Sequence, residues 1–126
     1  KETQSIRRKS DLNINYKYKK MENLFAYGSL MEEEVQKTVF GRILQGIPEK
    51  LLGYEVKRIE IEEEFGLENY PIITPTQDDS DCIEGIVYEL TVEELQLSDT
   101  YEGNSYSRIQ VPLKSKQMVW AYSAKL

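Results

Sequence analysis

Histidine is absent from this chain of 126 residues. Without an imidazole, Ser-His and Cys-His nucleophile pairs and histidine-ligated zinc are all excluded. Proton transfer near neutral pH must therefore come from a carboxylate, a tyrosine, a lysine or water. Cys82 is the single cysteine, so an internal disulfide is excluded. A lone thiol fits a reducing cytosol.

Long hydrophobic runs are also lacking, since no apolar segment reaches the roughly 20 residues that a membrane-spanning helix needs. No apolar region of the signal-peptide type follows the basic residues near the start. Hydrophobic residues make up 40% of the chain and charged residues 30%, a composition typical of a soluble globular protein. We therefore expect one cytoplasmic domain with its own hydrophobic core and no membrane partner.

Charge is divided unevenly along the chain. Residues 1–20 carry seven Lys or Arg and two Asp or Glu, whereas residues 21–126 carry nine and twenty, a net charge of −11. So acidic a domain repels phosphates, and we expect no nucleic-acid partner. Residues 1–20 lack apolar periodicity, so we interpret them as a basic, solvated N-terminal extension. Disorder there, or an origin outside the natural protein, remain open alternatives.

A strand, a glycine turn and a helix are predicted near the start of the domain. The apolar residues 24–27 predict a central strand, and residues 31–40 have the spacing of a helix. Between them, Gly28 permits a tight turn, and Ser29 with Glu32 has the spacing of a capping box. Such a turn leaves backbone N–H groups that can hold a carboxylate or an oxyanion without a charged side chain.

The remaining segments predict a mixed sheet. Strands are expected at residues 54–61, with a bulge, and at residues 70–74, 83–90, 106–113 and 117–123, whereas residues 47–53 are interpreted as a connection. Gly85 suggests a close backbone approach within its strand. Thr91 begins a second capping box and a helix that extends to about residue 97. About six strands and two short-to-medium helices without βαβ order indicate an α+β fold with a small, barrel-like mixed sheet.

Residues 99–108 form the second informative segment, which we expect to lie between that helix and the strand that begins at residue 106, where functional residues often sit on loops. Glu102 lies between Tyr101 and Gly103, and an apolar setting there would raise its pKa. From composition alone, a solvated glutamate and a structural ion pair for Arg108 are the more common roles. The aspartates of residues 78–81 lack the glycine and distal glutamate of a calcium loop, so they indicate a polar turn.

Several short motifs occur in a fixed order along residues 24–124. They are Tyr27-Gly28-Ser29-Leu30, Leu51-Leu52-Gly53-Tyr54, Tyr70-Pro71, Ile83-Glu84-Gly85-Ile86-Val87-Tyr88, Asp99-Thr100-Tyr101-Glu102-Gly103 with Tyr106 and Arg108, and Trp120-Ala121-Tyr122. Together they resemble the gamma-glutamylcyclotransferase-like family, in its avirulence-induced-protein-like and gamma-glutamylamine cyclotransferase branches. We accordingly assign residues 21–126 to one gamma-glutamylcyclotransferase-like domain.

The resemblance implies a cavity for a small γ-glutamyl substrate and a reaction that needs neither metal nor cofactor. The substrate's α-amine would attack its own γ-carbonyl, so that 5-oxoproline forms and an amine or amino acid leaves. Glu102 would be the general acid and base. Substrate would bind at residues 27–30 and Tyr122, with Tyr106 and Arg108 in supporting positions.

One alternative and one departure accompany this resemblance. The alternative is a non-catalytic module that keeps the pocket and binds a small molecule without turnover. The departure is Ser98, which stands where the family usually has an apolar residue. We expect it to weaken the packing beneath the glutamate loop.

Overall fold

A computed structural model describes residues 20–64 and 66–125. In chain order its elements are β1 (Met21–Ala26), a 3₁₀ turn (Ser29–Met31), α1 (Glu33–Phe40), β2 (Gly46–Leu52), β3 (Tyr54–Glu63), β4 (Gly66–Pro75), β5 (Cys82–Thr91), α2 (Val92–Glu102), β6 (Tyr106–Pro112) and β7 (Met118–Ala124). The basic extension predicted at residues 1–20 lies outside the described residues, apart from Lys20. The predicted α+β class is confirmed.

The strands form two sheets. A five-stranded sheet has the order β2-β5-β1-β7-β6, and β3 with β4 makes a separate antiparallel pair. β1 is central, as predicted, running antiparallel to β5 and parallel to β7. A central strand has both backbone edges paired, which suits the apolar run from which it was predicted.

Two apolar clusters lie on opposite faces of the five-stranded sheet because neighbouring strand residues point to opposite sides. Leu24 of β1 packs on the face that the helices cover, with Leu95 of α2. Phe25 packs on the other face, with Ile73 of β4. The molecule is therefore layered, with the helices, then the five-stranded sheet, then the β3–β4 hairpin.

Three predicted elements differ from the structure. Residues 47–53, predicted to be a connection, instead form most of β2. Pro48 suggested a turn, but β2 is an edge strand, where a missing N–H is tolerated. The bulge predicted in residues 54–61 is also wrong, because β3 and β4 pair one to one from Tyr54–Pro75 to Glu63–Gly66.

The third difference is the length of α2, which continues to Glu102 instead of ending near residue 97. Its capping box is present as predicted: the Glu94 N–H donates to Thr91 Oγ1 at 3.1 Å, and the Thr91 N–H donates to Glu94 Oε1 at 3.0 Å. After Leu95, the last turn of α2 adds no buried apolar side chain: Leu97 is 47% exposed and Ser98 is polar. The apolar pattern of the sequence therefore did not indicate that the helix continues. The expected loop thus begins only after Glu102.

Gly85 confirms the predicted close approach of two backbones. A Cβ at this position would lie 2.4 Å from the Ala26 carbonyl oxygen and 2.7 Å from Cζ of Phe25. The absence of a side chain on β5 therefore lets the end of β1 pack closely against it. Ala26 is the last residue of β1, immediately before the Tyr27–Leu30 turn.

Candidate active site

A cavity of about 110 Å³ opens where β1 ends. The turn that follows β1 supplies Tyr27, Gly28, Ser29 and Leu30, while α2, β6 and β7 supply Glu102, Tyr106 and Tyr122. Seven residues singled out from the sequence thus border one space. Arg108, the eighth, borders a neighbouring surface cleft and not this cavity.

The turn after β1 has a different local structure from the one predicted. The Met31 N–H donates to the Gly28 carbonyl and the Glu32 N–H donates to the Ser29 carbonyl, both at 3.0 Å, forming a 3₁₀ turn. Ser29 makes no cap bond, and α1 begins after Glu32. The expected capping box is therefore wrong; Ser29 Oγ instead lies 2.6 Å from the Tyr101 hydroxyl.

This turn leaves unused backbone donors at the cavity wall. Within residues 20–64 and 66–125, no acceptor pairs with the N–H groups of Gly28, Ser29 or Leu30. A Cβ at Gly28 would meet no protein atom within 4 Å. A ligand can therefore approach this backbone closely, and consecutive free amides of this kind favour an anionic group.

Glu102 is the last residue of α2, and Gly103 follows it with a positive φ of 82°. The carboxyl is partly buried, and this burial raises its pKa above the ordinary value. Its charge also helps to raise the pKa of Tyr27 and of Tyr106, in both of which burial is the larger cause. A carboxyl in such a setting is a stronger base when ionised than one in water.

The hydroxyl groups of Tyr27 and Tyr122 are both bound to the protein. Tyr27 donates its hydroxyl to the Tyr122 carbonyl, and Tyr122 donates its hydroxyl to Asp99 Oδ1 at 2.6 Å. Burial, followed by the hydrogen bond to the Asp99 carboxylate, raises the pKa of Tyr122. The rings of Tyr27 and Tyr122 therefore form walls of the cavity, while their hydroxyls hold strands and helix together.

Arg108 acts on the site through Asp99. Its Nε and Nη2 donate to Asp99 Oδ1 and Oδ2 at 2.6 and 3.0 Å, a bidentate pair. Burial acts to raise the pKa of Asp99, but the bonds from Arg108 and Tyr122 outweigh it and lower that pKa. The guanidinium also stacks 4.4 Å from the Trp120 ring centroid. Asp99 is thus held ionised, in position to accept from Tyr122.

Ser98 makes polar contacts beneath the last turn of α2 that the sequence did not suggest. It is fully buried, and its Oγ lies 2.6 Å from the Tyr122 hydroxyl and 2.7 Å from the Leu95 carbonyl. An apolar residue could make neither contact. Ser98 therefore extends the polar network of Asp99 and Tyr122 beneath the last turn of α2.

Sequence reasoning missed Phe25, Ala26 and Pro71 among the cavity residues. Pro71 comes from the β3–β4 hairpin, whose pairing brings it over the end of β1. The Tyr70-Pro71 motif was visible, but nothing local to it indicated a position at the cavity.

No group of three or more His, Cys, Asp or Glu side chains in residues 20–64 and 66–125 is arranged to hold a metal ion. Over the same ranges, no helix is both long and apolar enough to cross a membrane.

A family model for gamma-glutamyl cyclotransferase, AIG2-like, matches residues 24–126. The chain belongs to this family. The match includes every residue that lines the cavity, so the resemblance seen in the motifs is confirmed. A search of curated proteins found none that matches the sequence.

Solved structures share the family fold. A solution structure of At3g28950.1 from Arabidopsis thaliana is 27% identical with a TM-score of 0.64, and the match covers 83% of this chain and 62% of that one. A second, At5g39720.1 from the same plant, is 25% identical with a TM-score of 0.58, covering 82% and 68%. This chain thus spans less than two thirds of the first relative's length.

A third structure carries the name gamma-glutamyl cyclotransferase. It is 14% identical to this chain, with a TM-score of 0.61, and the match covers 84% of this chain and 68% of that one. At this level of identity the likeness shows the fold.

Proposed function

We propose that this protein is a γ-glutamyl cyclotransferase that releases 5-oxoproline and an amine or amino acid. The observation that carries the proposal is one cavity bordered by both the Glu102 carboxyl and the unpaired amides of residues 28–30. Membership of the gamma-glutamyl cyclotransferase, AIG2-like family supports it. The reaction needs an acid–base group and an anion-binding site, and the cavity contains candidates for both.

The proposed reaction is intramolecular. The α-amine nitrogen bonds to the γ-carbonyl carbon and the bond from that carbon to the leaving amine breaks, closing a five-membered lactam. Nucleophile and electrophile belong to one molecule, so the enzyme mainly holds a folded conformer. No serine or cysteine nucleophile is required, which agrees with a chain that has no histidine to activate one.

Glu102 would move protons between the two nitrogens. Its carboxylate accepts a proton from the α-ammonium and gives it to the leaving nitrogen, ending as it began. The second proton, lost as the attacking nitrogen becomes the lactam N–H, passes to the released amine or to water. A base of raised pKa suits both halves of that cycle, and such assistance contributes about 10²–10⁴ in rate. The amides of residues 28–30 would stabilise either the oxyanion or the α-carboxylate.

The test follows 5-oxoproline from a panel of γ-glutamyl amides and dipeptides, using wild type and Glu102→Gln. We expect the variant to bind substrate in calorimetry while turnover falls at least about 10²-fold. Glu89→Gln, an exposed glutamate on β5, is the control and should keep full activity. Unchanged turnover in Glu102→Gln would remove Glu102 from this role.

The same panel separates the alternative function. Binding of γ-glutamyl compounds to wild type, with no product from any of them, would identify a binding module and not an enzyme.

A further inference from the structure

The β3–β4 hairpin turns one face toward the main sheet, and at the edge of this face lies a positively charged residue, Arg58. Tyr54 and Val56 of β3 pack against the apolar cluster on the hairpin side of the main sheet. Side chains alternate along a strand with a period of two, so Arg58 lies on that same face. It is exposed, whereas the apolar residues before it are partly buried. Arg58 therefore stands where this covered face reaches solvent.

The pairing register brings Arg58 to the cavity. Arg58 lies directly opposite Pro71 of β4, and Pro71 is one of the residues that line the cavity. Directly opposite residues share a face of the sheet, with Cβ atoms about 4.5–5.5 Å apart. Arg58 is accordingly at the rim of the cavity, on the hairpin side.

Electrostatics agree with this position. The positive charge of Arg58 acts to lower the pKa of Tyr27 and of Tyr106, against the larger effect of burial, which raises both. Both tyrosines line the cavity. The field of the guanidinium therefore reaches the space where a substrate would sit.

Arg58 is also free to bind an anion. Among the side chains that the structure describes, no carboxylate lies within 4.0 Å of its guanidinium, whereas Arg42 is paired with Glu94 and Arg108 with Asp99. An arginine that is unpaired in so acidic a domain has its planar set of donors available for a carboxylate.

We propose that Arg58 determines specificity by binding a carboxylate on the leaving amine of the substrate. This inference rests on the proposed cyclotransferase function. The turn after β1 and the end of α2 surround the γ-glutamyl group inside the cavity. Arg58 comes from a different layer and stands at the open rim, so it meets the part of the substrate that extends outward. The favoured substrates are γ-glutamyl compounds whose leaving group is an amino acid.

Two substrates that differ only in this group test the proposal. γ-Glutamyl-L-alanine and γ-glutamyl-ethylamide have the same scissile bond, and only the first has a carboxylate on the leaving part. In Arg58→Gln, we expect kcat/KM for the alanine compound to fall about ten- to a hundredfold, mainly through KM. Turnover of the ethylamide should stay within about twofold of the wild-type value, because this compound has no carboxylate for Arg58 to bind.

Two further variants sharpen the result. Arg58→Lys keeps the charge but loses the bidentate geometry, so its loss should be intermediate. Lys57→Gln is the matched control, since Lys57 alternates to the opposite face and lies 3.9 Å from Glu55; it should behave as wild type. An equal loss for both substrates in Arg58→Gln, or no loss for either, would overturn the proposal.

Calorimetry keeps this test separate from that of the proposed function. If wild type forms no 5-oxoproline from either compound, the cyclotransferase proposal fails. Preference for the alanine compound in binding, lost in Arg58→Gln but kept in Lys57→Gln, would still support Arg58 as the carboxylate-binding residue. Equal affinity of wild type for the two compounds would reject it.

Discussion

Single hydroxyl groups connect the candidate site to the packing beneath it. The Tyr122 hydroxyl lies between Ser98 Oγ and Asp99 Oδ1, at 2.6 Å from each. Tyr122 donates its single proton to Asp99, and Ser98 has one proton to share between the Leu95 carbonyl, at 2.7 Å, and the Tyr122 oxygen. The network fixes the ring of Tyr122 against the cavity, so we assign this tyrosine to shaping the site and not to proton transfer.

Ser98→Ala tests that network. We expect it to lower the free energy of unfolding by about 0.5–1.5 kcal/mol, since a buried hydrogen bond is lost. Urea denaturation measures the change. Ser105→Ala, at an exposed position, is the control and should stay within about 0.5 kcal/mol. A variant as stable as wild type would show that the Ser98 hydroxyl makes no net contribution.

Glu102 should cost the protein stability at neutral pH. Burial raises its pKa in the folded state, so the folded protein binds this proton more tightly than the unfolded chain does. The protonated Glu102 makes its full contribution to the free energy of unfolding below the pKa of the unfolded chain, about 4.3. This contribution is lost as pH rises through the pKa of the folded protein. At neutral pH the partly buried carboxylate therefore lowers the free energy of unfolding.

Glu102→Gln removes that ionisation. We expect its melting temperature to exceed that of wild type at pH 7, with the difference shrinking as pH falls toward 4. Thermal unfolding across this range measures it, with Glu89→Gln as the exposed control. A difference that does not vary with pH would contradict the raised pKa.

Among the elements, β5 has at Gly85 a position where the end of β1 approaches closely. Gly85→Ala would place a Cβ 2.4 Å from the Ala26 carbonyl oxygen, and backbone cannot yield as a flexible side chain can. We expect a loss of about 1–3 kcal/mol in the free energy of unfolding. Glu84→Ala, an exposed neighbour on the same strand, is the control. A Gly85→Ala variant with wild-type stability would contradict the close approach.

Local signals explain which elements could be predicted. The capping box at Thr91 and the left-handed Gly41 that ends α1 involve residues close in sequence, and both follow from residue type. The edge strand β2 and the last turn of α2 had no such signal. Pro48 favoured a turn in the first, and the buried polar Ser98 interrupted the apolar pattern in the second.

The candidate site likewise contains some residues that the sequence could identify and others that it could not. Motifs identified Glu102 and the turn at residues 27–30, and the structure brings them to one cavity. Pro71 and Arg58 could not be placed, because their positions follow from the register of the β3–β4 hairpin. A shift of one residue in that register would turn Arg58 to the opposite face, and residue types alone do not set it.

At the scale of the whole molecule, the cavity depends on three layers at once. Its walls come from the end of the central strand, the last turn of a helix and the hairpin behind the main sheet. Each layer is held by a different contact: the hairpin, for example, is tied by the Ile73 N–H donating to Ser123 Oγ at 3.2 Å. The geometry of the site is therefore a property of the complete domain.

The end of α2 has one more consequence for a bound molecule. Peptide dipoles leave partial negative charge at the carboxyl end of a helix, where Glu102 sits, and partial positive charge on free amides such as those of residues 28–30. Both partial charges lie beside the same cavity. A zwitterion with its ammonium toward α2 and its carboxylate toward the turn would be aligned by the main chain itself, whichever side chains surround it.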